Sequence, residues 1–174
     1  MKDLILHKAV YFPQIVYHTV IDEEICDQIN AVTEKEKHKW KKGLRNVKAL
    51  TSGWDSQHYP IIKDISDFII EKILPNIMNV SNLICESCWI NAYTKGDSAK
   101  PHDHIGADMC AVLLTTNTSK NCLKFIDNLA QSLVEEVNEQ KGLLIIFPPE
   151  LVHLVEEVED QQRITVAFNF LKDA

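Results

Sequence analysis

The chain has 174 residues, 45% apolar and 25% charged, which fits one globular domain with a sizeable core. No apolar run approaches the roughly 18–20 residues that span a bilayer. The apolar start is interrupted by His7 and Lys8 before a secretory core forms, so a cytoplasmic, intracellular protein with no membrane partner is expected. The formal net charge of −7 argues against a nucleic-acid footprint spread over the surface, and five irregularly spaced cysteines argue for reduced, buried thiols.

Residues 9–21 are rich in β-branched and aromatic types with Pro13 among them, which reads as an edge strand or two short strands. Asp22 suits an N-cap, and Ile25, Ile29 and Val32 recur at helical spacing. A helix is predicted over 22–42, acidic at its start and basic at its end, with Gly43 as its stop. The stretch Lys35–Lys48 holds seven of the eighteen Lys and Arg and one acid, Glu36. It reads either as a solvated helix end running into a loop or as a contact for a phosphate or an acidic substrate. Residues 44–60 are polar and irregular, and Ser52-Gly53-Trp54-Asp55 reads as a loop that plants an aromatic. A second helix is predicted over 61–74, with Ile61, Ile65, Phe68, Ile69 and Leu74 on its apolar face. Pro75 ends or kinks it, and 77–80 reads as a further turn.

After Asn82 short β-type runs alternate with turn signals. The runs are 84–93, 107–116, 123–126, 131–137, 143–147, 152–158 and 164–170. Strands at this spacing predict a sandwich or jelly roll. The fold class is therefore mainly β with an N-terminal α layer. One domain covers 1–174, with 1–82 as a helical support layer and 83–174 as the jelly-roll core.

His102 and His104 stand two apart. On a strand, residues i and i+2 face the same way, so both imidazoles reach one ion while Asp103 points to the other face. His153 follows an apolar strand and the Pro148-Pro149 corner, which delivers it to the same place. Imidazole suits Fe, Zn, Cu and Ni, but an isolated His-x-His pair is a weak signal. Arg163 lies ten residues after His153, with Thr165 two further on and on the same face. A guanidinium beside a hydroxyl makes a bidentate grip for a carboxylate. The plainer reading of Arg163 is a surface arginine paired with Glu156, Glu157 or Glu159. Cys85-Glu-Ser-Cys88 matches a CxxC pattern, yet on a strand positions three apart face opposite ways, which disfavours a shared zinc.

The run Tyr93-x-x-Gly96-x-x-x-x-Pro101-His102-x-His104 resembles the prolyl-4-hydroxylase-like branch of the iron- and 2-oxoglutarate-dependent oxygenases. Gly142-Leu-Leu-Ile-Ile-Phe147-Pro148, His153-x-Val155 and Arg163-Ile-Thr165-Val-Ala-Phe168-Asn169 resemble the closing strands of the small phage and marine-bacterial type. Ser52-Gly53-Trp54 is similar to a loop of that group. The resemblance implies a double-stranded β-helix (cupin-like) core that uses Fe(II), 2-oxoglutarate and O2. It implies hydroxylation of an unidentified substrate, a prolyl peptide or another small molecule, with release of succinate and CO2. His102, His104 and His153 are the implied metal ligands, and Arg163, Thr165, Tyr93 and Asn91 the implied cosubstrate-binding residues. Substrate choice is expected in the Gly53-Trp54 loop, the Lys39–Lys48 segment and the Asn117–Asn121 turn.

One departure stands out. The usual facial triad has a carboxylate two residues after the first histidine, and here that place holds His104. Either three neutral histidines bind the metal, or Asp103 or Asp108 supplies the carboxylate. Two other functions are weighed against this one: a three-histidine cupin-type dioxygenase that uses no 2-oxoglutarate, and a non-catalytic jelly-roll binding module.

Overall fold

A computed structural model describes all residues except 1–4, 12–13, 44–45, 79–81, 128–132 and 174. In chain order the elements begin with β1 (His7–Tyr11), β2 (Gln14–Val20), α1 (Glu23–Glu36), β3 (Lys41–Lys42), β4 (Val47–Lys48), β5 (Leu50–Thr51) and α2 (Pro60–Phe68). There follow β6 (Leu83–Tyr93), β7 (Ser98–His102), β8 (Met109–Leu114) and β9 (Leu123–Ile126). The chain closes with β10 (Leu133–Glu136), β11 (Leu143–Phe147), β12 (His153–Val155) and β13 (Arg163–Lys172). An eight-stranded sheet has the order β1-β2-β11-β8-β13-β6-β5-β3, and a five-stranded sheet the order β10-β9-β12-β7-β4. Neighbouring strands pair antiparallel, as expected for a jelly roll.

The apolar runs of β8, β11 and β13 are continuous because both faces of the large sheet are covered. Val112, Leu114, Ile145 and Phe147 point into the space between the sheets, where they meet Leu123, Phe125 and Val155. Leu113, Leu144, Ile146, Val166 and Phe168 point the other way, against Ile29, Ile62, Ile65 and Ile69 of the helical layer. Period two on β13 therefore assigns its even positions to the helices. Arg163, Thr165, Ala167 and Asn169 are left for the inner face. The tight turn into β11 needs Gly142, which has φ +87° and whose Cβ would meet Ile21 O at 2.4 Å.

Several boundaries differ from expectation. β1 and β2 form a hairpin at the edge of the large sheet, and Pro13 lies outside the described residues. α1 starts after Asp22, whose side chain makes no capping bond, and it ends at Glu36. Beyond Glu36 the residues Lys37, His38 and Lys39 have nothing to bury, so the chain tightens into a 3₁₀ turn and then pairs as β3 with β5. The segment before residue 83 is thus a helical layer that also supplies edge strands to both sheets. The second helix passes through a π turn, Ile69–Ile73, in which Leu74 N–H bonds to Ile69 O. Pro75 then falls in the first turn of a short helix, Leu74–Ile77, where its missing N–H costs nothing. The further turn expected over 77–80 ends at Ile77, and 79–80 lie outside the described residues.

Cys85 and Cys88 depart from the opposite-face expectation. The register of β6 against β13 slips between Asn169 and Phe170, so that Ser87 and Cys85 are paired and Glu86 is extra. That bulge turns both cysteines toward the helical layer. They are remote in orientation from the inner-face histidines, which removes a zinc site shared between them.

Candidate metal centre

Three histidines converge on the inner face. His102 ends β7 and His153 begins β12, and the two are direct cross-strand partners. Their ring centroids lie 4.4 Å apart. His104 lies beyond the end of β7, so the route is not the period-two strand expected from the sequence. Its backbone N–H donates to Pro149 O at 2.9 Å, tying it to the proline corner that precedes His153. Its ring then sits 5.4 Å from that of His102 and 5.1 Å from that of His153. One nitrogen from each ring falls within 4.8 Å of the others, and this is the group of potential metal ligands found among the described residues.

The opposite edges of the rings fix their orientation. Nδ1 of His102 bonds to Lys100 O at 2.7 Å, that of His153 to Leu151 O at 3.1 Å, and that of His104 to Asn169 Oδ1 at 2.7 Å. A carbonyl oxygen only accepts, so each Nδ1 carries a proton, and in the neutral ring Nε2 is then the atom with a lone pair for a ligand. Burial, reinforced by His102 and His104, holds His153 well below the ordinary histidine range. Burial also lowers His104, against the opposing pull of its bond to Asn169. Both therefore rest as neutral imidazole, the form that binds metal. Trp89 stacks on His104 at 5.6 Å, and Phe147 meets His153 edge-on at 5.0 Å.

A cavity of about 720 Å³ opens on His102 and His104 and reaches Trp54, Trp89, Asn91 and Asn169. Lys41 and Lys42 also line it, so part of the basic stretch belongs to the cavity wall rather than to a helix end. Trp54 is exposed and contacts Trp89 edge-on at 4.5 Å. Asp103 is exposed and accepts the Ile105 N–H at 3.4 Å, while the Asp108 carboxylate accepts the Lys172 N–H at 2.8 Å. Neither acid joins the histidine group.

The arginine lies deeper. Arg163 is 1% exposed, and its partner is Glu139, not Glu156, Glu157 or Glu159. Nε donates to Glu139 Oε2 at 2.9 Å and Nη2 to Oε1 at 2.8 Å. The same carboxylate accepts the Cys122 and Leu123 N–H groups at 3.1 and 2.6 Å and the Thr118 hydroxyl at 3.2 Å. Burial opposes the guanidinium charge, but the Glu139 bonds and charge outweigh it and raise Arg163 above its usual value. Tyr93 packs its ring 5.2 Å from the guanidinium carbon, and burial pushes its hydroxyl up to about 12. Arg163 Nη1 is buried with no hydrogen-bond partner. Thr165 is buried on the same strand face, and Asn91, on the cavity wall, accepts the Thr51 hydroxyl at 3.1 Å.

The geometry adds two residues that sequence reasoning passed over. Asn169 was legible in part, as an inward polar position six residues after Arg163 in an otherwise apolar strand. Glu139 carried no local signal, since it sits in a segment that reads as a turn.

No family model matches the chain, and no curated protein matches it in sequence. Solved structures do match over nearly the whole chain. The viral collagen prolyl hydroxylase of Paramecium Bursaria Chlorella virus-1, in its 2-oxoglutarate complex, is 13% identical with a TM-score of 0.67, covering 95% of this chain and 100% of that one. The α-ketoglutarate-dependent epimerase SnoN of nogalamycin biosynthesis is 10% identical with a TM-score of 0.77, covering 93% and 79%. HygX from Streptomyces hygroscopicus, with nickel and 2-oxoglutarate bound, is 9% identical with a TM-score of 0.69, covering 94% and 84%. The chain has the fold of the 2-oxoglutarate/iron oxygenases. Within that fold, the residues present suit both groups such proteins carry. Three free Nε2 lone pairs suit a divalent transition metal. The orphaned Nη1 is a buried donor that suits an anionic or polar acceptor, and Arg163 is not among the residues that line the cavity.

Proposed function

We propose that the chain is an Fe(II)- and 2-oxoglutarate-dependent oxygenase that hydroxylates a peptide or small molecule. The observation that carries this reading is the convergence of three imidazoles, one nitrogen of each within 4.8 Å of the others, with every Nδ1 engaged by an oxygen acceptor. His102, His104 and His153 would hold the metal as three neutral ligands. Arg163, with Thr165 and Tyr93 beside it and Asn91 on the cavity wall, would receive the distal end of the cosubstrate. Bound Fe(II) and 2-oxoglutarate would supply O2-dependent decarboxylation to succinate and CO2, coupled to oxidation of the substrate. The chain itself supplies orientation and dryness. Phe125 and Phe147 close over His153, at 6.2 and 5.0 Å between ring centroids, and Trp89 covers one face of His104. The cavity with Trp54 at its mouth and Lys41 and Lys42 on its wall would admit the substrate. A prolyl peptide is the first candidate, because the Tyr93-to-His104 run resembles that branch and prolyl hydroxylases are among the structural neighbours.

The test is anaerobic calorimetry in two steps, Fe(II) first and 2-oxoglutarate second. One iron per chain followed by one 2-oxoglutarate is expected. The Arg163–Glu139 pair favours one other reading, a three-histidine dioxygenase without 2-oxoglutarate. Stoichiometric iron with no 2-oxoglutarate binding would decide for it.

A further inference from the structure

The carboxylate missing from the histidine cluster has a counterpart beside Arg163, the proposed cosubstrate anchor. In a two-histidine, one-carboxylate site, a divalent metal, one carboxylate and one arginine leave two positive units to meet a dianionic cosubstrate. Here the three ligands are neutral imidazoles, which adds one positive unit at the metal. Glu139, fully buried against Arg163, subtracts one at the far end. The sum is unchanged, but its distribution is not. The metal end keeps its whole charge, and the arginine end is neutral.

We infer that Glu139 is the displaced counter-charge of this site, a positioning residue that leaves Arg163 able to hydrogen-bond a cosubstrate's distal group while offering it no net charge. This rests on the reading of Arg163 as the cosubstrate anchor. Glu139 occupies the Nε and Nη2 side of the guanidinium, and its own oxygens are saturated by two backbone N–H groups and the Thr118 hydroxyl. The fork therefore cannot turn, and Nη1 is the donor left buried and unpaired. A distal carboxylate arriving there meets one guanidinium, with the Glu139 charge directly behind it. A distal amide receives the same hydrogen bond without that repulsion. The cosubstrate class assigned to the site is a five-carbon 2-oxo acid whose distal end is polar but need not be charged. Its affinity is concentrated in the 2-oxo carboxylate at the metal.

The experiment titrates the Ni(II)-loaded chain calorimetrically with 2-oxoglutarate and with its C5 amide, 2-oxoglutaramate. Wild type should bind the two with Kd values within about tenfold of each other, since the charge facing the distal group is cancelled. Glu139→Gln keeps the shape and removes the charge. Its preference should move toward the dicarboxylate by on the order of tenfold. 2-Oxoglutarate should then raise the Tm of the variant more than the amide does. A purely structural Glu139 would weaken both ligands equally. A wild-type preference for the dicarboxylate above about a hundredfold would overturn the inference, and so would an unchanged ratio in the variant. If Glu139→Gln does not fold, the wild-type ratio decides alone. Binding of neither 2-oxo acid by wild type would overturn the proposed function, and this inference with it.

Discussion

Of the three bonds that orient the histidines, two run to backbone oxygens and one to a side chain, His104 Nδ1 to Asn169 Oδ1 at 2.7 Å. Only the last can be deleted by substitution. Asn169→Ala leaves the backbone ladder of β13 intact, because residue 169 pairs with Cys110 and Ser87 through its main chain. It does remove the side-chain bond to Ser87 Oγ at 3.2 Å, so a stability loss of about 1 kcal/mol is expected alongside. What the metal loses is a fixed ring and a polarised Nδ1–H. Outer-shell bonds of this kind are typically worth 10–100-fold in metal affinity, about 1.4–2.8 kcal/mol. Asn169 is half-buried, and water can replace part of the bond, so the lower half of that range is expected, about 10–30-fold. The Asn169→Asp variant restores an acceptor and should return affinity to within about threefold of wild type. Competition between the chain and a chromogenic chelator for Ni(II) or Fe(II) reads the affinity, with a thermal melt to show that each variant is folded. A folded Asn169→Ala chain with wild-type metal affinity would refute the argument that this bond aims His104.

Three further outcomes follow from the same geometry. His102→Ala, His104→Ala and His153→Ala should each abolish stoichiometric metal binding, while Asp103→Ala and Asp108→Ala should leave it unchanged, as read by metal analysis after desalting. Glu139→Ala leaves a buried guanidinium unpaired and should cost about 3–5 kcal/mol in urea unfolding. Gly142→Ala forces a side chain into the left-handed region and against Ile21 O, and should lower stability by at least about 1–2 kcal/mol with an unchanged m-value.

The β core was legible because it rests on local pattern, and the histidines were legible as a group, although His104 joins them from beyond β7 through its bond to Pro149 rather than by period two. β9 and β11 match their apolar runs, and β13 keeps Arg163 and Thr165 on one face through period two. β7 was missed because Ser98-Ala-Lys-Pro-His lacks β-forming residues. It is held by β12 on one side and β4 on the other, with Pro101, which has no N–H to donate, between the paired residues Ala99 and His102 where the register shifts. The CxxC face was misjudged because a bulge at Glu86, set by the partner strand, shifts the period. The partner of Arg163 was invisible for a different reason. Glu139 is brought to it by the packing of the turn before β11 against β9, a long-range event with no footprint in spacing. The role of Lys41 and Lys42 likewise depends on α1 stopping early and β3 joining the sheet beside Asn91.

The central claim is that the histidine cluster and Arg163 form one oxygenase site. It is tested most directly by O2-dependent formation of succinate from 2-oxoglutarate in the purified chain supplied with Fe(II). Wild type should form succinate even without added substrate, at a slow uncoupled rate. His153→Ala should form none above the iron-only background. Equal succinate from wild type and His153→Ala, or none from an iron-loaded wild type across a panel of peptides and small molecules, would contradict the account.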